Sequence, residues 1–167
     1  EYTFRPGTLE IAKNSPNKTQ INLYISEDKS LIPPQIVQHI DRVARAISNL
    51  TKQSKGRINS KSILLQPDTD LAEAAELAGI RKIPMSSGDS LYFGAVFTSG
   101  DKHLITSYFD VNRATSLEYD LALQLSNLSR SKTPHIGILS SVLKPANTEI
   151  PHPGLSVLEE LKSQYNV

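Results

Sequence analysis

One amphipathic segment lying between two strand-like runs constrains this chain more than any other feature. From Pro33-Pro34 onward, Ile36, Ile40, Val43, Ile47 and Leu50 recur at steps of four and three, which places them on one face of a helix. Proline is tolerated in a first helical turn, so the pair opens the helix. Gly56, preceded by Lys52 and Lys55, suits its end, where a left-handed residue and cations complement the negative pole of the dipole. The stripe covers about two heptads, short of the three or four that a coiled-coil seam needs, so it calls for a sheet to pack on.

The flanking runs supply that sheet. Thr19–Ser26 alternates, with Ile21, Leu23 and Ile25 on one side, as a half-buried strand does. Residues 58–66 read as a second strand, and Ile63, Leu64 and Leu65 are too continuously apolar for an exposed edge. Strand, long helix and strand make a parallel βαβ unit with a right-handed crossover.

Asp70 is the expected cap of a short helix whose Leu71, Ala74, Ala75 and Ala78 share a face and which Gly79 ends. Residues 91–99 and 103–109 read as an antiparallel hairpin turning at Ser99-Gly-Asp-Lys102, with Leu91, Phe93, Ala95 and Phe97 on one face. Ser116 is the expected cap of a last helix that buries Leu117, Leu121, Leu125 and Leu128. The result is an α/β domain of order β-α-β-α-β-β-α with a mixed sheet. Its expected bounds are 19–129, after a polar N-terminal lead (1–18) and before a linker (130–133). Residues 134–167, with Ile136-Gly-Ile-Leu-Ser140 and a helix over 156–165, read as the opening βα segment of a truncated second domain.

Composition removes several function classes. Eighteen Lys plus Arg against 17 Asp plus Glu leave a net charge of +1, which gives no reason to expect nucleic acid as partner. Zero Cys excludes disulfides and thiol chemistry within this chain. No stretch approaches the roughly 18 apolar residues of a membrane helix, and no signal-peptide series is present. The four His (His39, His103, His135, His152) have no close ligand spacing, and no nucleophile elbow, phosphate-binding loop or dinucleotide fingerprint occurs. The expectation is therefore a non-enzymatic chain with no cofactor and no metal. His39 reads as a surface residue off the apolar stripe and His103 as a solvated turn residue. Acids such as Asp68, Asp70, Glu73 and Glu76 read as complements to a helix dipole.

The element order, with Gly79-Ile-Arg-Lys-Ile-Pro84 leading into the hairpin, resembles the thioredoxin-like fold. That resemblance implies a cis peptide bond at Ile83–Pro84, an isomer found in about 5–6% of X-Pro pairs. Where the redox enzymes of that fold carry Cys-x-x-Cys, this chain has Ser26-Glu-Asp-Lys-Ser-Leu-Ile-Pro33. A resemblance over nearly the whole chain rests on five ordered patches: Tyr2-Thr-Phe-Arg-Pro-Gly-Thr8, Ile21-Asn-Leu-Tyr-Ile-Ser26, Gly79–Pro84, Leu91-Tyr-Phe-Gly94 with Ser99-Gly-Asp-Lys102, and Leu117-Glu-Tyr-Asp120. Together they are similar to the extracytoplasmic region of the gliding-motility-associated ABC transport auxiliary family.

The resemblance implies an interaction domain on the periplasmic side of the inner membrane, anchored by a membrane helix outside this chain. Its partners would be permease and ATPase subunits or other envelope proteins. Opening at Glu1 without a Met fits such a piece. Self-association is expected if the last βα segment lacks a partner sheet.

Charge and aromatic placement suggest where partners would touch. Residues 1–66 carry a net +5 and residues 67–167 a net −4. Arg42, Arg45, Lys52 and Lys55 on the long helix, continued by Arg57 and Lys61, form a candidate surface for a membrane or an acidic partner. Strand alternation turns Phe93 and Phe97 inward and Tyr92 outward, making Tyr92 a further candidate contact. An alternative is a small-molecule or glycan-binding module near the Pro84 loop and the end of the first strand, where Ser86, Ser87 and Asp89 lie.

Overall fold

The computed structural model describes residues 3–14, 17–30, 32–86 and 88–130. The expected strand and helix beyond the linker, and with them the self-association reading, fall outside the described residues, as do His135, His152 and Ser87. Chain contacts divide the molecule into Glu1–Ser129 and Arg130–Val167, and the first unit is an α/β domain.

Its elements run α1 (Pro6–Asn14), β1 (Thr19–Ser26), α2 (Pro34–Gln53), β2 (Ile58–Leu65), α3 (Asp70–Leu77), β3 (Lys82–Pro84), β4 (Ser90–Ser99), β5 (Lys102–Thr106), a 3-10 turn (Val111–Ser116) and α4 (Leu117–Ser129). The sheet is mixed, in the order β2-β1-β4-β3. β1 is parallel to β2 and antiparallel to β4. β3 pairs with the start of β4, through Ser90–Tyr92, and β5 with its end, through Ala95–Ser99.

The long helix is as its spacing predicts. Pro33 precedes it, Pro34 starts it, and Ile40, Val43, Ala46, Ile47 and Leu50 are buried. They pack with Ile21, Leu23, Ile25, Phe93, Ala95 and Phe97, together with Leu117, Leu121, Leu125 and Leu128 of α4. Helix and strand are joined through Ser54, which is fully buried. Its Oγ donates to the Thr51 carbonyl at 2.7 Å and accepts the Ile58 N–H at 3.0 Å. The hairpin also turns as expected: Ser99 faces Lys102 across Gly100 and Asp101, with Gly100 at φ +59°.

The second face of the sheet is covered too, and that changes several readings. α3 lies over Leu65, Ile80 and Tyr92, burying Ala72 and Ala75 rather than Leu71 and Ala74. Alanines let the helix sit close to the sheet, while Leu71 and Leu77 stay 51% and 84% exposed. Tyr92 does point away from the main core, but it is fully buried beneath this helix, so it is no surface contact. The cap of α3 is Thr69, whose hydroxyl accepts the Ala72 N–H at 3.3 Å; Asp70 lies in the first turn. Before α4, Asp110 caps the 3-10 turn, and Ser116 is the turn's last residue.

Three further corrections concern the edges. Pro6–Asn14, read as part of a polar lead, is a helix whose Ala12 is buried in the main core. It is tied to α4 where the Arg5 N–H and the Thr8 hydroxyl both donate to Glu118 Oε1, at 2.7 and 2.8 Å. β2 is an edge strand after all: among the described residues it pairs only with β1, Asn59–Ser62 are exposed, and Leu64 is 52% exposed. The described residues contain no cis peptide bond, so Ile83–Pro84 is trans. The chain reverses instead over Met85–Asp89, where the Met85 N–H donates to the Asp89 carbonyl and Gly88 takes φ +90°. Pro84 ends a three-residue strand, a place where the missing N–H breaks no ladder.

Gly94 is required by close packing. A Cβ there would stand 2.6 Å from the Thr106 carbonyl oxygen and 2.7 Å from that of Ser107. No helix among the described residues is long and apolar enough to cross a membrane.

Candidate functional site

In an open α/β sheet, a crevice forms at the carboxyl ends of strands where neighbouring connections leave in different directions. Here β1 ends at Ser26 and β2 at Leu65, beside the Met85–Asp89 turn. They enclose a cleft of about 190 Å³ lined by Ser26, Glu27, Asp28, Gln66, Met85 and Asp89. Its floor is set by Ser26, 4% exposed, whose Oγ accepts the Tyr92 N–H at 2.8 Å. The Ser26 hydroxyl donates weakly to the Ser90 carbonyl at 3.4 Å. Its partners are thus backbone groups, with no base drawing off its proton. The rim is rich in acceptors. Asp28 accepts the Ser30 N–H at 2.8 Å, and this bond with the Ser30 side chain holds its carboxyl below the usual value. Such a lining can hold a hydrogen-bond donor or a cation, but it presents no activated nucleophile. Asp89 of the sequence candidates lines this cleft; Ser86 is exposed in the turn beside it without lining it.

The second feature is the basic face. Arg42, Arg45 and Lys52 lie on the exposed side of α2, opposite its buried stripe. Lys55 and Arg57 are exposed in the turn that follows, and Lys61 on the β2 edge. Over residues 34–66 the sole acid is Asp41, which pairs with Lys29 at 3.5 Å. None of the six cations enters an ion pair among the described residues. Arg42, Arg45 and Lys52 thus share the exposed side of α2 and Lys55 is exposed in the turn after it, while Tyr92 is buried beneath α3.

Tyr92 instead organises a polar cluster beneath α3. Its Oη donates to Glu76 Oε1 at 2.7 Å, and Lys82 Nζ meets Asp68 Oδ1 at 2.9 Å nearby. Burial, with Glu76 assisting, pushes the Tyr92 phenol up to about 12. Glu76 thus has a defined structural partner besides its place on the helix.

His39, expected at the surface, is buried. It is 4% exposed and packs edge-on against Phe93, ring centroids 5.5 Å apart. The signal was available: His39 is three residues after Ile36, four before Val43 and seven before Ala46, on the buried side of the turn. His103 is exposed on β5. Among the described residues, no group of three or more His, Asp or Glu side chains is placed to hold a metal ion.

Against known families, the model described as Domain of unknown function (DUF7088) matches residues 1–98, more than half of the chain. No curated protein and no solved structure is matched. The strand-end cleft and the basic face are built from residues within the matched span.

Proposed function

The chain belongs to the DUF7088 family of domains of unknown function, and we propose that it holds partners rather than converting a substrate. In this reading it is a non-enzymatic extracytoplasmic interaction domain of an auxiliary subunit in an ABC-type, gliding-motility-associated transport system. The five ordered sequence patches supply the transport setting. The observation that carries the docking role is the basic face: six exposed cations that form no ion pair, and a strand edge that pairs with no further strand, among the described residues. Long-range attraction from such a surface raises encounter rates with an acidic partner and is screened by salt.

The test is a pull-down from detergent-extracted membranes with the immobilised chain and with the variant Arg42→Glu/Arg45→Glu/Lys52→Glu/Lys55→Glu. Recovery of a permease and its ATPase by the first, lost with the second and weakened by salt, is the expected result. Equal recovery by both overturns the role of this face.

A second reading, a small-molecule or glycan-binding module, is favoured by the strand-end cleft alone. At about 190 Å³ it suits a single small polar group rather than a drug-sized ligand. A thermal-shift screen discriminates, since a ligand at a hundred times its Kd adds about 2.7 kcal/mol of stability.

A further inference from the structure

Charge is separated along the strand direction of the sheet. At one end β1 and β2 begin, β4 finishes and β5 starts, so that Ile58, Thr19, Ser99 and Lys102 lie abreast. The Thr19 N–H donates to the Arg57 carbonyl at 2.8 Å, which brings the backbone of Lys18 beside that of Arg57 just outside this row. Buried Ser54, through its bond to the Ile58 N–H, pins the turn that carries Lys55 and the last turn of α2, which carries Lys52. Residues 17–20, 52–61 and 98–103 hold six basic side chains, Lys18, Lys52, Lys55, Arg57, Lys61 and Lys102, and one acid, Asp101. All six cations are exposed, and the first five enter no ion pair among the described residues.

The other end has the opposite sign. Where β1 and β2 finish and β4 begins, residues 26–30, 66–70 and 85–90 hold Glu27, Asp28, Asp68, Asp70 and Asp89 against one cation, Lys29, itself paired with Asp41. The strand-end cleft opens there, lined by Glu27, Asp28 and Asp89. The eight residues of β1 hold the two ends about 25 Å apart, more than two screening lengths at about 0.1 M salt. A negatively charged plane therefore acts on each end separately and draws the basic one towards itself.

What the basic end lacks is an apolar centre. Beneath it Thr19, Ser54, Ile58 and Ser99 are buried, and the exposed large hydrophobics Leu64, Leu71, Leu77, Ile105 and Tyr119 all lie outside these stretches. A protein interface is built on aromatic or aliphatic anchors inside a polar rim, with lysine depleted. Spread cations with no anchor suit instead a mobile layer of anionic headgroups, which can gather beneath each of them.

We propose that this end of the sheet is a docking surface for an anionic phospholipid bilayer, on which the domain stands end-on with the strand-end cleft turned away. Lys18, Lys55 and Arg57, in the outermost turns, make the closest approach. Arg42 and Arg45, farther back along α2, are not needed for it. This docking rests on the extracytoplasmic reading for the bilayer beside the chain, and takes nothing from the protein partner of that reading.

The test is flotation of the whole chain with vesicles of phosphatidylcholine alone and of phosphatidylcholine with about 30% phosphatidylglycerol, at low and at high salt. The expected result is binding to the anionic vesicles only, reversed by salt. Each cation near the surface is worth about fivefold, so Lys18→Gln/Lys55→Gln/Arg57→Gln should weaken binding about a hundredfold, while Arg42→Gln/Arg45→Gln changes it little. On the 15N-labelled chain, a nitroxide-bearing lipid should broaden amides over residues 17–20 and 98–103 and spare those over 26–30 and 66–70. Absence of binding to anionic vesicles, equal loss in the two variants, or uniform broadening overturns the proposal. So does saturable binding of polyglutamate through Lys18, Lys55 and Arg57 without vesicle binding, which would make this end a site for an acidic protein. All five substitutions replace exposed side chains, so loss of binding with an unchanged circular dichroism spectrum reports on the surface. The permease pull-down is scored independently, so the two readings fail separately.

Discussion

The phenol of Tyr92 donates to the carboxylate of Glu76 across 2.7 Å, linking a central strand to the helix that covers it. Tyr92→Phe keeps the buried ring and loses this bond. Because Glu76 is exposed enough to regain water, the expected loss is near the low end for such bonds, about 1 kcal/mol. Urea denaturation of the two proteins measures it.

The same tyrosine sets a pH limit. Its folded value, about 12, lies above the ordinary 10.0, so between these values the folded state holds a proton that the unfolded state has released. Stability from this group is full below about pH 10 and falls as pH rises toward 12. Ultraviolet absorbance should show a tyrosine step at about 12 that is absent from Tyr92→Phe, while Tyr108, which burial also raises, titrates above the ordinary value in both proteins.

His39 acts at the other end of the scale. Burial, then the charge of Arg42, hold its imidazole below the ordinary 6.5, while the Asp110 backbone and carboxylate pull the opposite way; Tyr108 and the Arg113–Asp120 pair line a cavity with it. A base with a depressed folded value takes up its proton more readily when unfolded. Stability is therefore present above about pH 6.5 and declines as pH falls through the folded value. Denaturation midpoints from pH 8 to 5 should slope for the parent and flatten in His39→Gln.

Ser54 predicts a larger effect from a smaller change. Ser54→Ala strands the buried Ile58 N–H and removes the bond to the Thr51 carbonyl. A loss of about 2 kcal/mol is expected. Hydrogen exchange should show faster opening of the last turn of α2 and the first residues of β2 than elsewhere.

Gly94→Ala is expected to be more damaging still, since the new Cβ would meet two backbone oxygens that no rotamer can move. Strain of about 3 kcal/mol or more is the expectation. Gly7→Ala is its control: nothing lies within 4 Å, and a helical alanine should be neutral or slightly stabilising. Thermal melts should show a clear drop in Tm for Gly94→Ala and none for Gly7→Ala.

What could be read beforehand was what repeats locally. The stripe of α2, the alternation of β1, the Gly100 turn and the α4 leucines each announce themselves within one element, and together they fix an α/β order. The misreadings depend on partners far away in sequence. α1 has few apolar residues of its own and is anchored by Glu118, over a hundred positions later. Tyr92 alternates outward as predicted, yet the outward side is roofed by α3. Ile63-Leu-Leu65 looks like a central strand, but only Ile63 and Leu65 reach the cluster beneath α3, while Leu64 and Asn59–Ser62 are exposed. The cavity at His39 needs α2, the 3-10 turn and α4 together, so no single segment signals it. The trans bond at Pro84 shows that a short string shared with another fold carries no backbone isomer with it.

Among the described residues the outer rim of β2 pairs with no strand, and this has a consequence for solubility. A free row of strand amides and carbonyls is a template on which further copies can stack into fibres. Here that row is dressed with Asn59-Ser60-Lys61-Ser62, so a second strand docking alongside would have to dehydrate a lysine and short polar groups for little apolar gain. A border so dressed resists polymerising through it.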